Sequence, residues 1–159
     1  MQAQDIMTKD VITIHPDATV HDVAQMLADY RISGVPVLDE HGVMVGLVTE
    51  ADIISKEGAT VAEIMSRQVM SVGAETPVDR IAQMLTSRGF KRVPVIREGA
   101  LVGIVSRADI VRMMAARWVC TRCGATSRGA QPPACESCGA PASAIEHDMQ
   151  SREQVSRRQ

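Results

Sequence analysis

Four cysteines have the spacing that most directly specifies a chemistry in this chain. They form two Cys-x-x-Cys-Gly motifs, residues 120–124 and 135–139, with eleven residues between Cys123 and Cys135. Two such pairs of thiolates are typical ligands of a tetrahedral metal ion. The glycine after each second cysteine lets the chain turn so that backbone N–H groups point at sulfur. The sequence therefore predicts a metal site whose ligands are Cys120, Cys123, Cys135 and Cys138.

The metal itself is less closely specified. The doubled motif resembles a short zinc ribbon, so zinc is the expected ion, and iron in a rubredoxin-like centre is the alternative. Two disulfides or four free thiols are the other interpretations. No signal-peptide pattern opens the sequence, so we expect a reducing cytoplasm, where metal binding is favoured over disulfides. His147 is a further candidate ligand that a four-cysteine site does not need.

Two hydroxyl-x-x-carboxylate motifs, Thr49 to Asp52 and Ser106 to Asp109, offer a second chemistry. Each follows a glycine and an apolar segment and opens a segment with helical character. The free N–H groups and the hydroxyl at such a strand-to-helix junction suit a phosphate, and a carboxylate one turn later can accept hydrogen bonds from two ribose hydroxyls. The same spacing also makes a helix-capping box. It opens three other segments, at Thr19, Thr60 and Thr76, the last with Pro77 expected at the first helical position. From spacing alone, capping and ligand binding both remain open.

A sequence repeat supplies the elements that must position these motifs. Residues 5–54 are matched by residues 63–111, at an offset of 58 that becomes 57 after a one-residue deletion in a loop. Each copy is predicted to form a strand, a helix, two strands and a helix. In the first copy the strands are expected at 11–14, 35–38 and 43–48, and the final helix of the second copy is expected to run to about Arg117. So dense a repeat implies two similar units packed together, with paired clefts between them.

These recurring motifs carry a family resemblance. The doubled Asp/Glu-Ile-Met start, the doubled Val-Pro-Val strand and the doubled Gly-x-x-[Thr/Ser]-x-x-Asp end, over about residues 3–115, resemble a tandem pair of cystathionine-β-synthase (CBS) domains, or Bateman module. The resemblance implies an α+β fold of two βαββα repeats packed pseudo-symmetrically. We expect CBS motif 1 over residues 1–57, CBS motif 2 over 58–117, the zinc ribbon over 118–145, and a polar, disordered tail over 146–159.

The resemblance also implies a function. Modules of this kind bind adenosine-containing ligands, here AMP, ADP or ATP, sometimes S-adenosylmethionine, NAD or a cyclic dinucleotide, and they commonly form homodimers that regulate a partner. In the first cleft it implicates Thr49, Asp52, Met70, Lys91, Arg92, Val93 and Pro94. In the second cleft it implicates Ser106, Asp109, Ile12, Ser33, Gly34, Val35 and Pro36.

The two predicted clefts differ in charge. Lys91 and Arg92 border the first, whereas Ser33 and Gly34 take the equivalent place in the second. Two cations favour a di- or triphosphate, so the Asp52 cleft is predicted to bind the more anionic ligand or to bind more tightly. The alternative for both cations is a solvated turn.

Composition narrows the functional classes. The formal net charge of −2 gives no bulk attraction to nucleic acid or to an anionic membrane, and no apolar run approaches the length of a membrane span. No nucleophile–base pair with an orienting group is evident, so we expect a non-enzymatic regulator with an unidentified partner. The runner-up is a nucleic-acid-associated factor that docks through the ribbon, with Trp118 stacking on a base, although burial of Trp118 against the last helix is favoured. An iron-loaded redox protein is the third hypothesis.

Overall fold

The computed structural model describes residues 1–148 and divides the chain into two compact units. The first unit runs from Met1 to Arg107, and the second begins at Ala108. Of the polar tail expected over residues 146–159, residues 149–159 lie outside the described residues. Glu146 and His147 belong to a strand.

The second copy contains the expected βαββα order, and the first copy contains it without the opening strand. The first copy contains α1 (Ala3–Ile6), α2 (Val20–Tyr30), β1 (Gly34–Leu38), β2 (Met44–Thr49) and α3 (Glu50–Ser55). The second contains α4 (Val61–Ile64), β3 (Val72–Gly73), α5 (Val78–Ser87), β4 (Arg92–Arg97), β5 (Ala100–Ser106) and α6 (Arg107–Ala115). Strands β1 and β2 form an antiparallel pair, and the second sheet has the order β3-β4-β5, with β3 parallel to β4. The α+β fold of two packed repeats, which the family resemblance implied, is therefore confirmed.

Two predicted boundaries were wrong. The strand expected at Val11–Ile14 is reduced to a single parallel bridge between Ile14 and Val37, because only Ile14 exchanges backbone hydrogen bonds with β1. The last helix ends at Ala115 instead of continuing to Arg117, because Arg117 opens a strand of the second unit.

Helix capping explains most of the repeated hydroxyl-x-x-acid motifs. Complete capping boxes are formed at Thr19, Thr49 and Thr60, each with the acid three residues later. The prediction at Thr76 was wrong, because Pro77 is the N-cap and makes no side-chain cap, and the helix starts at Val78. The N-terminal segment holds Pro77 extended: Gln2 bridges Pro77, and the N–H of Val78 donates to the carbonyl of Met1.

The short helices α1 and α4 pack on the opposite copies. Ile64 and Met65 belong to the buried core that also contains Val23, Val35 and Val48 of the first copy. In the same way the N-terminal segment pairs with the second copy, where Thr8 and Ile104 exchange two backbone hydrogen bonds. The two repeats of the sequence are thus interleaved in space, and each completes the core of the other.

The second unit carries a small three-stranded sheet, β7-β6-β8, formed by β6 (Arg117–Cys120), β7 (Thr126–Arg128) and β8 (Ile145–His147). A 3₁₀ turn at Ala142–Ala144 precedes β8. Trp118 was expected against the last helix. Instead its indole N–H donates to the carbonyl of Gly129 at 2.7 Å, and its ring meets His147 edge-on at 5.1 Å. The ring therefore serves the packing of this sheet.

Candidate functional site

A cavity of about 690 Å³ lies between the two repeats within the first unit. Its size falls in the range of small-molecule sites. The first copy contributes Ser33, Leu47, Thr49, Glu50, Ala51 and Asp52, and the second contributes Ser66, Gln68, Val69, Met70, Gly89, Phe90, Lys91 and Arg92. A ligand here would touch both copies at once.

Asp52 is a capping residue and a cavity residue together. Its Oδ2 accepts hydrogen bonds from the backbone N–H and the hydroxyl of Thr49, both at 2.9 Å. Its Oδ1 lies 2.7 Å from Lys56 Nζ and accepts from the Ser66 hydroxyl at 3.3 Å. Burial alone raises the pKa of Asp52, but the hydrogen bonds from Lys56 and Thr49 outweigh it, so this pKa lies below its ordinary value. The carboxylate is therefore ionised at neutral pH.

The opposite wall carries two cations with defined contacts. Lys91 Nζ lies 3.1 Å from Glu50 Oε2. The guanidinium of Arg92 donates to the carbonyl of Gly34 at 2.9 Å and to the hydroxyl of Ser33 at 2.6 Å. Both side chains thus connect the second copy to the first. The solvated turn considered from the sequence does not describe Arg92, which is half-buried.

Five of the residues predicted for the first cleft line this cavity, namely Thr49, Asp52, Met70, Lys91 and Arg92. Val93 and Pro94 are buried in β4 and are not among its lining residues. Ser33, which was assigned to the second cleft, lines this cavity. The sequence interpretation missed Glu50, although it stands inside the Thr49-x-x-Asp52 motif. The negative charge of Glu50 inside this motif could have been read from the sequence.

The residues predicted for the second cleft are distributed over both units. Ile12 is half-buried, and Gly34, Val35 and Pro36 are buried in β1. Ser106 ends β5 in the first unit, whereas Asp109 is a buried residue of α6 in the second unit and contacts Arg112. This second cleft stays a prediction.

The four cysteine sulfurs converge in the second unit. They lie within 4.8 Å of one another, with Cys120 Sγ 3.7 Å from Cys138 Sγ and Cys123 Sγ 3.6 Å from Cys135 Sγ. Four thiolates bound tetrahedrally to zinc at 2.3 Å would stand about 3.8 Å apart, so this arrangement fits the ion. The cysteines are free of disulfides. His147, the spare candidate ligand, lies against Trp118 instead.

Backbone groups prepare one of these sulfurs for a metal. The N–H groups of Cys123 and Arg122 lower the pKa of Cys120 to about 7, in spite of the opposing effect of burial. The N–H of Ala125 favours ionisation of Cys123 in the same way, but the neighbouring thiols outweigh it and raise that pKa to about 12. The neighbouring thiols also lower the pKa of Cys120, so hydrogen bonds among the sulfurs favour the thiolate of Cys120 and the protonated form of Cys123. A divalent cation would favour the thiolate form of all four.

Comparison with known families identifies the repeated unit. A model described as "CBS domain" matches residues 3–58 and 61–116. The chain belongs to the CBS domain family. This confirms the resemblance drawn from the doubled motifs. The four-cysteine cluster of the second unit fits a zinc-ribbon-like appendage to the CBS pair.

Curated relatives of this CBS protein are diverse. L-aspartate semialdehyde sulfurtransferase from Methanocaldococcus jannaschii is 34% identical over 114 residues, which are 69% of this chain and 22% of that enzyme. CBS domain-containing protein YhcV from Bacillus subtilis is 29% identical over 114 residues, which are 67% of this chain and 81% of that protein. The chain thus spans less than a quarter of the sulfurtransferase, and the part that aligns with it is the CBS pair.

Solved structures share the fold of the CBS pair. The CBS domain pair of protein MJ0100, in complex with 5'-methylthioadenosine and S-adenosyl-L-methionine, has a TM-score of 0.65 at 34% identity, covering 70% of this chain and 94% of that one. CBSX2 in complex with AMP has a TM-score of 0.66 at 26% identity, covering 70% and 93%. Across residues 1–148, no helix has the length and apolar character needed to cross a bilayer.

Proposed function

We propose that this CBS protein is a non-catalytic regulatory module that binds an adenosine-containing ligand in the cavity between its repeats. The observation that carries the proposal is the cavity itself, because it joins the Thr49–Asp52 motif of one copy to the Phe90–Arg92 segment of the other. The complexes of the MJ0100 CBS pair with 5'-methylthioadenosine and S-adenosyl-L-methionine, and of CBSX2 with AMP, support an adenosine-type ligand.

The lining residues suit the separate parts of such a ligand. Leu47, Val69, Met70 and Phe90 offer apolar surface for an adenine ring. Asp52 offers an ionised carboxylate to the ribose hydroxyls, and a charge-assisted hydrogen bond of this type contributes about 1.5–3 kcal/mol. The positive charges of Lys91 and Arg92, which both line the cavity, would attract a phosphate group.

The contacts of Asp52 also provide a route for regulation. Lys56 Nζ lies 2.7 Å from Asp52 Oδ1 and donates to the carbonyl of Ile64 at 2.9 Å. A ribose that competes for Asp52 Oδ1 would change the contact of Lys56 with the Ile64 carbonyl in α4. This helix is the one through which the second copy completes the core of the first. A ligand that binds the two arrangements of α4 unequally would shift their populations.

We propose further that Cys120, Cys123, Cys135 and Cys138 hold a zinc ion that stabilises the ribbon. Sulfur separations of 3.6 and 3.7 Å support a tetrahedral site, and the small buried cluster of Cys120, Cys135, Ala140 and Ile145 leaves much of the folding energy to the metal. A colourless protein that contains one equivalent of zinc is the expected result. A red protein that absorbs visible light would favour iron.

Isothermal titration tests the nucleotide proposal. AMP added to the zinc-loaded protein should bind, and guanosine monophosphate should bind more weakly, because its exocyclic groups differ at the apolar wall. Absence of heat and of thermal stabilisation with adenosine, AMP and ATP would overturn the proposal. Homodimer formation and a cytoplasmic location stay predictions, and light scattering coupled to size exclusion tests the first.

A further inference from the structure

Glu50 brings a carboxylate to the side of the cavity where phosphates would meet cations. It is the first residue of α3, and Lys91 Nζ lies 3.1 Å from its Oε2. The two side chains are 51% and 67% exposed, so their pairing contributes little to stability. The pair therefore matters for the charge that it presents to a ligand.

The charges around this end of the cavity almost cancel. Lys56 contacts Asp52, and Lys91 contacts Glu50. Arg92 donates to neutral acceptors in the first copy, a hydroxyl and a carbonyl. Among the residues that line the cavity, the two cations Lys91 and Arg92 thus face the two acids Glu50 and Asp52. The cavity wall therefore has no surplus positive charge for a second or third phosphate, and each further phosphate adds negative charge near Glu50.

The fold does not require an acid at this position. The N–H of Glu50 donates to the carbonyl of Ser33 at 3.1 Å, and at the equivalent place of the second copy the N–H of Arg107 donates to the carbonyl of Lys91 at 3.1 Å. The same backbone position therefore holds opposite charges in the two copies. Since a cation is compatible with this junction, the backbone geometry leaves the charge at position 50 free to serve the ligand.

We propose that Glu50 is a specificity-determining residue that makes this cavity disfavour adenosine di- and triphosphates relative to adenosine and AMP. The inference rests on the proposed function. It opposes the di- or triphosphate preference that Lys91 and Arg92 suggested from the sequence, because that prediction left Glu50 out of the charge balance.

Titration of adenosine, AMP and ATP in magnesium-free buffer tests this inference on the zinc-loaded full chain. The variants are Glu50→Gln and Glu50→Arg, with Glu57→Gln as the control, since Glu57 is an exposed acid that does not line the cavity. The ratio of ATP affinity to adenosine affinity should rise about tenfold in Glu50→Gln, as expected for removing one screened charge beside a triphosphate. It should rise further in Glu50→Arg and stay unchanged in Glu57→Gln.

The outcomes separate the two proposals. If the wild-type protein binds adenosine and both Glu50 variants keep the wild-type ratio, the selectivity inference is overturned and the nucleotide proposal stands. An equal rise in Glu57→Gln would assign the effect to net charge and would also overturn the inference. If the wild-type protein binds none of the three compounds, both proposals fail. Circular dichroism establishes that each variant is folded, and Glu50→Arg provides a second reading of the same position.

Discussion

Replacing Asp52 and Asp22 separately by alanine distinguishes ligand binding from helix capping. Asp22 forms the same capping box with Thr19 that Asp52 forms with Thr49, but it does not line the cavity. Asp22→Ala should lower the free energy of unfolding by about 1 kcal/mol, the usual contribution of a cap. Asp52→Ala also removes the partly exposed ion pair with Lys56, so we expect a loss of about 2 kcal/mol.

The two variants should differ much more in their response to a ligand. AMP at one hundred times its dissociation constant stabilises the folded state by about 2.7 kcal/mol, which raises the melting temperature of a chain of this size by about 8 °C. Loss of two hydrogen bonds from ribose to Asp52 weakens binding at least about 100-fold. At the same AMP concentration, Asp52→Ala should therefore shift by only about 1 °C, whereas Asp22→Ala should keep the full shift.

Thermal unfolding followed by far-ultraviolet circular dichroism, with and without AMP, measures both quantities. The control is the shift of Asp22→Ala, which carries the same loss of a cap. A full ligand-induced shift in Asp52→Ala would rule out a ligand contact at this residue, because Asp52 would then serve only to cap α3.

Three other perturbations test separate parts of the structure. Lys56→Met, which copies the residue of the second repeat, should raise the pKa of Asp52. A lowered folded-state pKa contributes stability above the unfolded value near 3.8, and this contribution is lost as the pH falls through the folded pKa. Urea unfolding at several pH values should therefore show a larger loss of stability at neutral pH than in strong acid, where only the hydrogen bond from Lys56 to the carbonyl of Ile64 is missing. Gly46→Ala should cost about 1–3 kcal/mol in urea unfolding, because the new Cβ would lie 2.6 Å from a methionine sulfur, whereas Gly73→Ala meets only a hydroxyl at 3.7 Å and should cost less. Cys138→Ser should abolish zinc retention in elemental analysis while AMP binding by calorimetry persists, and a retained zinc equivalent would contradict the four-thiolate site.

The sequence was sufficient to predict the hairpin of two strands and the helix on either side of it in each copy, because apolar periodicity and glycine punctuation act locally. It also predicted the convergence of the cysteines, since the spacing of each Cys-x-x-Cys-Gly knuckle is set by a single turn. The copies differ at their first strand: Val72–Gly73 pairs with β4 in the second copy, whereas Ile14 makes only one bridge in the first. This difference depends on long-range backbone contacts, which similar local sequences do not distinguish.

The interleaving of the copies could not be obtained from the repeat alone. The repeat predicts that Met7 and Met65 are equivalent, but not that each lies against a glycine of the copy that it does not begin. The close approach explains why Gly46 and Gly103 precede the two motifs, since a Cβ at either position would meet a methionine sulfur. Likewise, the cations at 91 and 92 were visible in the sequence, whereas the contact of Lys91 with Glu50 depends on how the copies meet.

Native mass spectrometry of the purified protein identifies bound nucleotide and metal together, and so tests whether Asp52 holds an adenosine ligand in the cavity. We expect one zinc ion and, after addition of AMP, a mass increase of one AMP in the wild-type chain that is lost in Asp52→Ala and kept in Asp22→Ala. A wild-type spectrum without AMP adduct at saturating concentration, or an equal adduct in Asp52→Ala, would contradict this expectation.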